Sequence, residues 1–132
     1  MKKTKILVID DDPMMLDLAR YQLQSHGCEV TTAETGEEGL KLSIDQHSDI
    51  VLTDLQLPDI DGIELVRKLK EALPETEIIM ITGYSSVTGA IEAIRAGAFY
   101  FIKFSGYPVN KFLIHKRNQF LRLKASSSLF FT

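Results

Sequence analysis

The stretch DIVLTDLQLPDIDGIEL, residues 49–65, carries the reading of the fold. Asp49 to Asp54 enclose a short apolar run with no polar alternation, which suits a strand covered on both faces. Pro58 and the Asp61-Gly62 pair then punctuate a loop. Ile63, Val66, Leu69 and Leu73 follow at helical spacing, stopped near Pro74. The run therefore reads as strand, loop and helix. It also ends its strand on a carboxylate, and a lone buried charge is costly unless it is paired or bound to a metal. Asp54 either caps the strand in water or belongs to a site that wants a carboxylate there.

The same unit repeats on both sides. KILVID (5–10) and CEVTTA (28–33) read as the first two strands, EIIMITG (77–83) as the fourth and FYFIK (99–103) as a fifth. Asp12-Pro13 offers a cap and a first-turn proline for a helix carrying Met14, Met15, Leu18 and Tyr21, with Gly27 as its stop. TGEE (35–38) is a capping box, opening a helix through Leu40, Leu42 and Ile44. Val87, Ala90, Ile91 and Ile94 mark a fourth helix ended by Gly97. Val109, Phe112, Leu113, Phe120 and Leu123 permit a fifth. Strands alternating with helices imply a doubly wound α/β fold: a five-stranded parallel sheet with helices on both faces and right-handed crossovers. The final ASSSLFFT, 125–132, reads as a tail behind a domain spanning 4–124.

Composition narrows the function. The 132 residues fit one domain, able to bury roughly two thirds of its unfolded surface. Net charge is −3, from 15 basic and 18 acidic residues, which argues against nucleic acid as the main partner. The charge is uneven: residues 100–132 hold six Lys or Arg and no acid. A single cysteine, Cys28, excludes an intrachain disulfide and fits a reducing cytoplasm. No apolar run has the length of a membrane span, and the N-terminal run meets three aspartates, unlike a signal peptide.

In an open parallel sheet, ligands bind beyond the carboxyl ends of the strands, where strand order reverses. Asp10 and Asp11 close the first strand, Asp54 the third, Thr82 the fourth and Lys103 the fifth. If the first and third strands are neighbours, three carboxylates converge. A hard divalent cation such as Mg2+, which prefers oxygen ligands, would compensate their repulsion. Such an ion keeps Asp54 ionised. An aspartate can act as a nucleophile toward phosphorus. Thr82 could hydrogen-bond a phosphoryl oxygen, and Lys103 could pair with another.

LVIDDDP, VLTDLQLPDIDGIEL and IIMITGYSSVTGAIEAIRAGA together resemble the signature segments of response-regulator receiver domains, the CheY-like family, over residues 4–103. The TGYSS wording is most similar to NtrC-type receivers. The resemblance implies a flavodoxin-like strand order 2-1-3-4-5 with five helices. It implies Asp54 as phosphoacceptor, Asp11 as direct Mg2+ ligand, Asp10 as a ligand through water or a positioning group, and the Gln56 carbonyl completing the shell. Thr82 would be the switch hydroxyl and Lys103 the phosphate-pairing lysine. A histidine kinase or histidine phosphotransfer protein would be the donor, with self-catalysed phosphorylation and dephosphorylation. The switched face would be the fourth helix, fifth strand and fifth helix. A second receiver, as a homodimer, or a downstream target would read that face, with no direct nucleic-acid contact and no membrane.

The family pattern frays after the fourth helix. The chain reads GAFYFIKFSGYP, one residue short between Gly97 and Lys103, with Phe104 in place of the usual proline. Either the loop is shorter and Lys103 keeps its place, or Phe104 stands where the lysine belongs, because a one-residue slip reverses a strand side chain. The aromatic switch position falls on Tyr100 or Phe101. The Lys103–Phe104 bond is expected trans, since a cis bond there would cost roughly 3–4 kcal/mol. Two rival functions remain at this point. One is a receiver-like interaction module that no longer switches. The other is a haloacid dehalogenase-type phosphatase using Asp10 and Asp12.

Bland readings apply elsewhere. Asp12 is a helix cap, Asp59 and Asp61 are loop and cap residues, and Glu64 is solvated. His26, His47 and His115 show no ligand spacing, and Cys28 reads as buried and inert. Of Met14 and Met15, one is expected in the core and one exposed. Lys116, Arg117, Arg122 and Lys124 read as a solvated helix face.

Overall fold

The structure, a computed structural model, describes residues 3–82, 87–98 and 100–103. Their element order is β1 (Lys5–Ile9), α1 (Pro13–Gln24), β2 (Glu29–Ala33), α2 (Gly36–Gln46), β3 (Ile50–Thr53), α3 (Gly62–Ala72), β4 (Glu77–Thr82), α4 (Val87–Ala96) and β5 (Tyr100–Lys103). The strands form one sheet in the order β2-β1-β3-β4-β5, every pair parallel. The fifth helix expected from Val109 to Leu123, the loop through Ser105, Gly106 and Pro108, the basic cluster Lys116 to Lys124 and the tail 125–132 lie outside the described residues.

Local chemistry sets the helix ends. Asp12 Oδ1 accepts from the Met14 N–H at 3.0 Å, with Pro13 in the first turn of α1. Thr35 Oγ1 accepts from the Glu38 N–H at 3.2 Å, and Asp61 Oδ1 accepts from the Ile63 N–H at 2.7 Å. Each cap satisfies a backbone donor that the helix itself leaves unpaired. Gly27, at φ 80°, and Gly97, at φ 118°, turn the chain after α1 and α4 through the left-handed region. His47 does the same after α2, at φ 54°, a role its sequence reading as a packing or surface residue does not contain.

Successive side chains of β1 point to opposite faces of the sheet and so belong to two cores. Ile6 and Val8 pack with Leu16, Ala19 and Leu23 of α1. Leu7 and Ile9 pack with Ile63, Leu65, Val66 and Leu69 of α3 and Ala93 of α4. The steps β2 to β3, β3 to β4 and β4 to β5 all run one way across the sheet, and their helices share the second face. The step β1 to β2 runs the other way, with α1 on the first face. One crossover hand produces both layers, and the strand order reverses between β1 and β3.

In α2 and α4 small residues take the most buried positions, although Leu40 and Leu42 of α2 also pack against the second core. In α2 the fully covered residues are Gly36, Gly39 and Ser43, while Ile44 is exposed. A Cβ on Gly39 would overlap Ile9 Cδ1, so close helix–sheet approach replaces a large side chain there. In α4, Ala93 is buried, while Ile91 and Ile94 are 47% and 49% exposed. Met14 is exposed and Met15 packs at the edge of the first core. Cys28 is a buried free thiol.

Candidate functional site

Strand register builds the site. Ile9 is level with Thr53 of β3 and Ala33 of β2, so the next residues, Asp10 and Asp54, emerge side by side at the carboxyl edge. Both are anchored by the ladder: the Asp54 N–H donates to the Ile9 carbonyl and the Asp10 N–H to the Ala33 carbonyl, each at 3.1 Å. Asp11 is exposed at the mouth, while Asp10 and Asp54 are half-buried. One carboxylate oxygen from each of the three lies within 4.8 Å of the others. This is the reversal point of the sheet, where open α/β folds bind ligands.

The donor set fits a hard cation. It consists of oxygens only, and Mg2+ takes octahedral oxygen ligands at about 2.0–2.1 Å while keeping several waters. Opposite ligands in such a shell are about 4 Å apart. Three oxygens that all lie within 4.8 Å of one another can be served by one such ion, directly or through water. Asp10 is suited to the outer place, because its Oδ1 already accepts from the Asp12 N–H at 2.9 Å.

The β3–α3 loop closes the other side. Asp54 Oδ1 accepts from the Gln56 N–H at 3.1 Å, Gln56 and Asp61 form an antiparallel bridge, and the Gly62 N–H donates to the Leu55 carbonyl at 3.1 Å. Gln56 thus stands at the base of the loop, beside Asp54. Thr82 and Lys103 are the last residues of β4 and β5 and are level in register, so their backbones reach the same edge of the sheet. The Lys103–Phe104 bond and Phe104 lie outside the described residues.

Asp59 does more than the loop role its sequence context suggests. Its two carboxylate oxygens accept from the Gly36 and Glu37 N–H groups at 2.8 and 2.9 Å, at the start of α2. Slight burial would raise its carboxyl, but backbone donors led by Glu37 and Gly36 outweigh that and hold it below the ordinary value. The partners lie 22 and 23 residues back in the chain. The only sequence signal for this contact is an acid in the loop facing a glycine that opens a helix.

A family model for the response regulator receiver domain matches residues 6–104. The chain belongs to this family. The transcriptional regulatory protein GlrR of Escherichia coli K12 is 35% identical to this receiver over 101 residues, 76% of the chain but 23% of GlrR. The receiver thus spans less than a quarter of that relative. A CheY-like receiver domain protein from Methanospirillum hungatei JF-1 superposes with a TM-score of 0.80 at 31% identity, covering 96% of this chain and 99% of that one. A Burkholderia pseudomallei response regulator, whose structure contains a phosphorylated aspartic acid and a calcium ion, gives a TM-score of 0.76 at 26% identity, covering 96% and 74%. The chain is a receiver domain of the two-component type, homologous to phosphorylatable receivers. Nothing in these relationships supports a dehalogenase-type phosphatase, and Asp12, the second acid of that reading, is engaged as the α1 cap.

Proposed function

We propose that this receiver accepts a phosphoryl group on Asp54, with Mg2+ held directly by Asp11, Asp54 and the Gln56 carbonyl and through water by Asp10. The observation that carries the reading is the convergence of three carboxylate oxygens within 4.8 Å at the sheet's reversal point. The resemblance to receivers and the phosphorylated aspartate of the Burkholderia relative support it. Bound there, Mg2+ supplies positive charge that offsets the carboxylates and the phosphoryl oxygens.

Asp54 Oδ1 is engaged by the Gln56 N–H, so Oδ2 is the nucleophile. It forms a bond to phosphorus as the phosphorus–nitrogen bond of a phosphohistidine breaks. The electron pair leaves with the imidazole nitrogen, which takes up a proton. The Thr82 hydroxyl and the Lys103 ammonium serve the phosphoryl oxygens from the ends of β4 and β5. Their engagement biases the face made by α4, β5 and the segment after Lys103, a two-state response to a local charge change. The donor is a histidine kinase or histidine phosphotransfer protein, and the reader of the switched face is a second receiver or a downstream target. The receiver unit spans 4–124 with a tail at 125–132, and the cytoplasm is its compartment. Among the described residues no helix is long and apolar enough to cross a membrane.

Labelling with acetyl phosphate and Mg2+ tests the reading. The wild-type chain takes up one phosphoryl group and Asp54→Asn takes up none. Equal labelling of the two proteins would end it. Beryllofluoride with Mg2+ should shift amide resonances in α4 and β5; shifts confined to the carboxylates would show a receiver that binds without switching.

A further inference from the structure

Asp59 ties the tip of the β3–α3 loop to a different βα unit. The base of that loop is held within its own unit, by the Gln56–Asp54, Gln56–Asp61 and Gly62–Leu55 contacts. Among the described residues, the tip is held by Leu57 and Ile60, partly buried against the second core, and by the Asp59 carboxylate. That carboxylate spans two consecutive N–H groups of α2, while Thr35 takes the third. Two side chains therefore complete the first turn of α2, one from its own cap and one from the loop that carries Gln56. Gly36 makes the approach possible: a Cβ there would overlap Ile60 Cγ2 and stand 3.3 Å from Leu57 Cδ1 and 3.4 Å from Asp59 Oδ1.

We propose that Asp59 is a positioning residue for the cation site: its two-pronged contact with Gly36 and Glu37 fixes the β3–α3 loop, so that Gln56 is held in place to complete the metal shell. The inference rests on the Mg2+ reading above. Groups that orient metal ligands without touching the metal affect affinity strongly when removed. A loop held at its base alone samples more positions, and each unit of cation binding then carries the entropy of ordering it.

The test measures Mg2+ affinity by calorimetric titration, with the melting temperature of each protein alongside. Asp59→Ala should weaken Mg2+ binding about tenfold or more. Asp59→Asn keeps one acceptor oxygen but loses the charge, and should fall between Asp59→Ala and wild type. Thr35→Ala removes the other cap of the same helix end without touching the loop. It should lower the melting temperature while leaving Mg2+ affinity within twofold of wild type. Unchanged affinity in Asp59→Ala overturns the proposal. So does an equal loss in Asp59→Asn and Asp59→Ala, which assigns the effect to charge, and so does an equal loss in Thr35→Ala, which assigns it to α2 stability. A wild-type chain that takes up no Mg2+ overturns both this proposal and the site reading, whereas normal wild-type binding with an indifferent Asp59→Ala overturns this proposal alone.

Discussion

Replacing Asp54 by Asn should stabilise the protein without divalent cation and destabilise it, relative to wild type, with one. Asp54 faces Asp10 and Asp11, with one oxygen of each within 4.8 Å. Like charges at that separation repel by about 1 kcal/mol per pair at the dielectric of water, and by more where water is excluded. Asp54 takes part in two such pairs and is half-buried, so removing its charge relieves about 1–2 kcal/mol once salt screening is allowed for. Asn keeps the shape and an oxygen able to accept the Gln56 N–H. For a chain of this size 1 kcal/mol corresponds to about 4 °C in melting temperature, so the variant should melt about 4–8 °C above wild type in a chelator. Mg2+ at a hundred times its dissociation constant stabilises a binding-competent fold by about 2.7 kcal/mol. Wild type gains that and the variant gains less, so the order of melting temperatures inverts. Thermal melts followed by circular dichroism, with chelator and with Mg2+, read both arms. A variant that melts below wild type in chelator, or Mg2+ that raises both proteins equally, would refute the electrostatic account.

Two further predictions concern buried hydroxyls and acid stability. Ser43 Oγ is fully buried and finds no partner among the described residues, whereas the buried Thr76 hydroxyl donates to the Ser48 carbonyl at 2.7 Å. Urea titration should therefore show Ser43→Ala neutral or stabilising, and Thr76→Val destabilising by about 1–3 kcal/mol through the orphaned carbonyl. Because the Asp59 carboxyl is held low in the folded state, its contribution is complete above the ordinary carboxylate value, near 3.9. It fades as pH falls through the lowered folded value. The melting temperature of Asp59→Asn should accordingly fall less steeply than wild type between about pH 5 and 2; parallel pH curves would contradict the sign.

The sheet and the carboxylate cluster were legible because both depend on short-range patterns. Runs such as Ile6–Ile9 and Ile50–Thr53 are buried on both faces, and buried strands announce themselves as unbroken apolar runs. Once β1 and β3 are neighbours, the residues after Ile9 and Thr53 must meet. What sequence periodicity could not convey is which helix face wins. In α2 and α4 the large residues Ile44, Ile91 and Ile94 face outward, while Gly39, Ser43 and Ala93 face the sheet, because close approach to Ile9 leaves no room for a Cβ at Gly39. The Asp59 contact was hidden for a related reason. It joins two loops through a tertiary approach that no local propensity encodes, and a loop aspartate looks alike whether it is solvated or bridging.

The packing on either side holds the acids together against their mutual repulsion. Ile6 and Val8 are locked into one core and Leu7 and Ile9 into the other, so β1 cannot shift away from β3 without opening both. The ladder continues one residue past the strand ends, holding the Asp10 and Asp54 backbones at 3.1 Å from the Ala33 and Ile9 carbonyls. The share of the cluster's repulsion that falls on Asp54, about 1–2 kcal/mol, is small beside the burial of the fully covered aliphatic side chains around it, each contributing about 1.5–3 kcal/mol. The backbone therefore does not relax to separate the charges. Relief is left to cation binding, protonation or neutralisation of one carboxylate by covalent chemistry. Cation binding and covalent neutralisation are the two events that the proposed phosphoryl-accepting site requires.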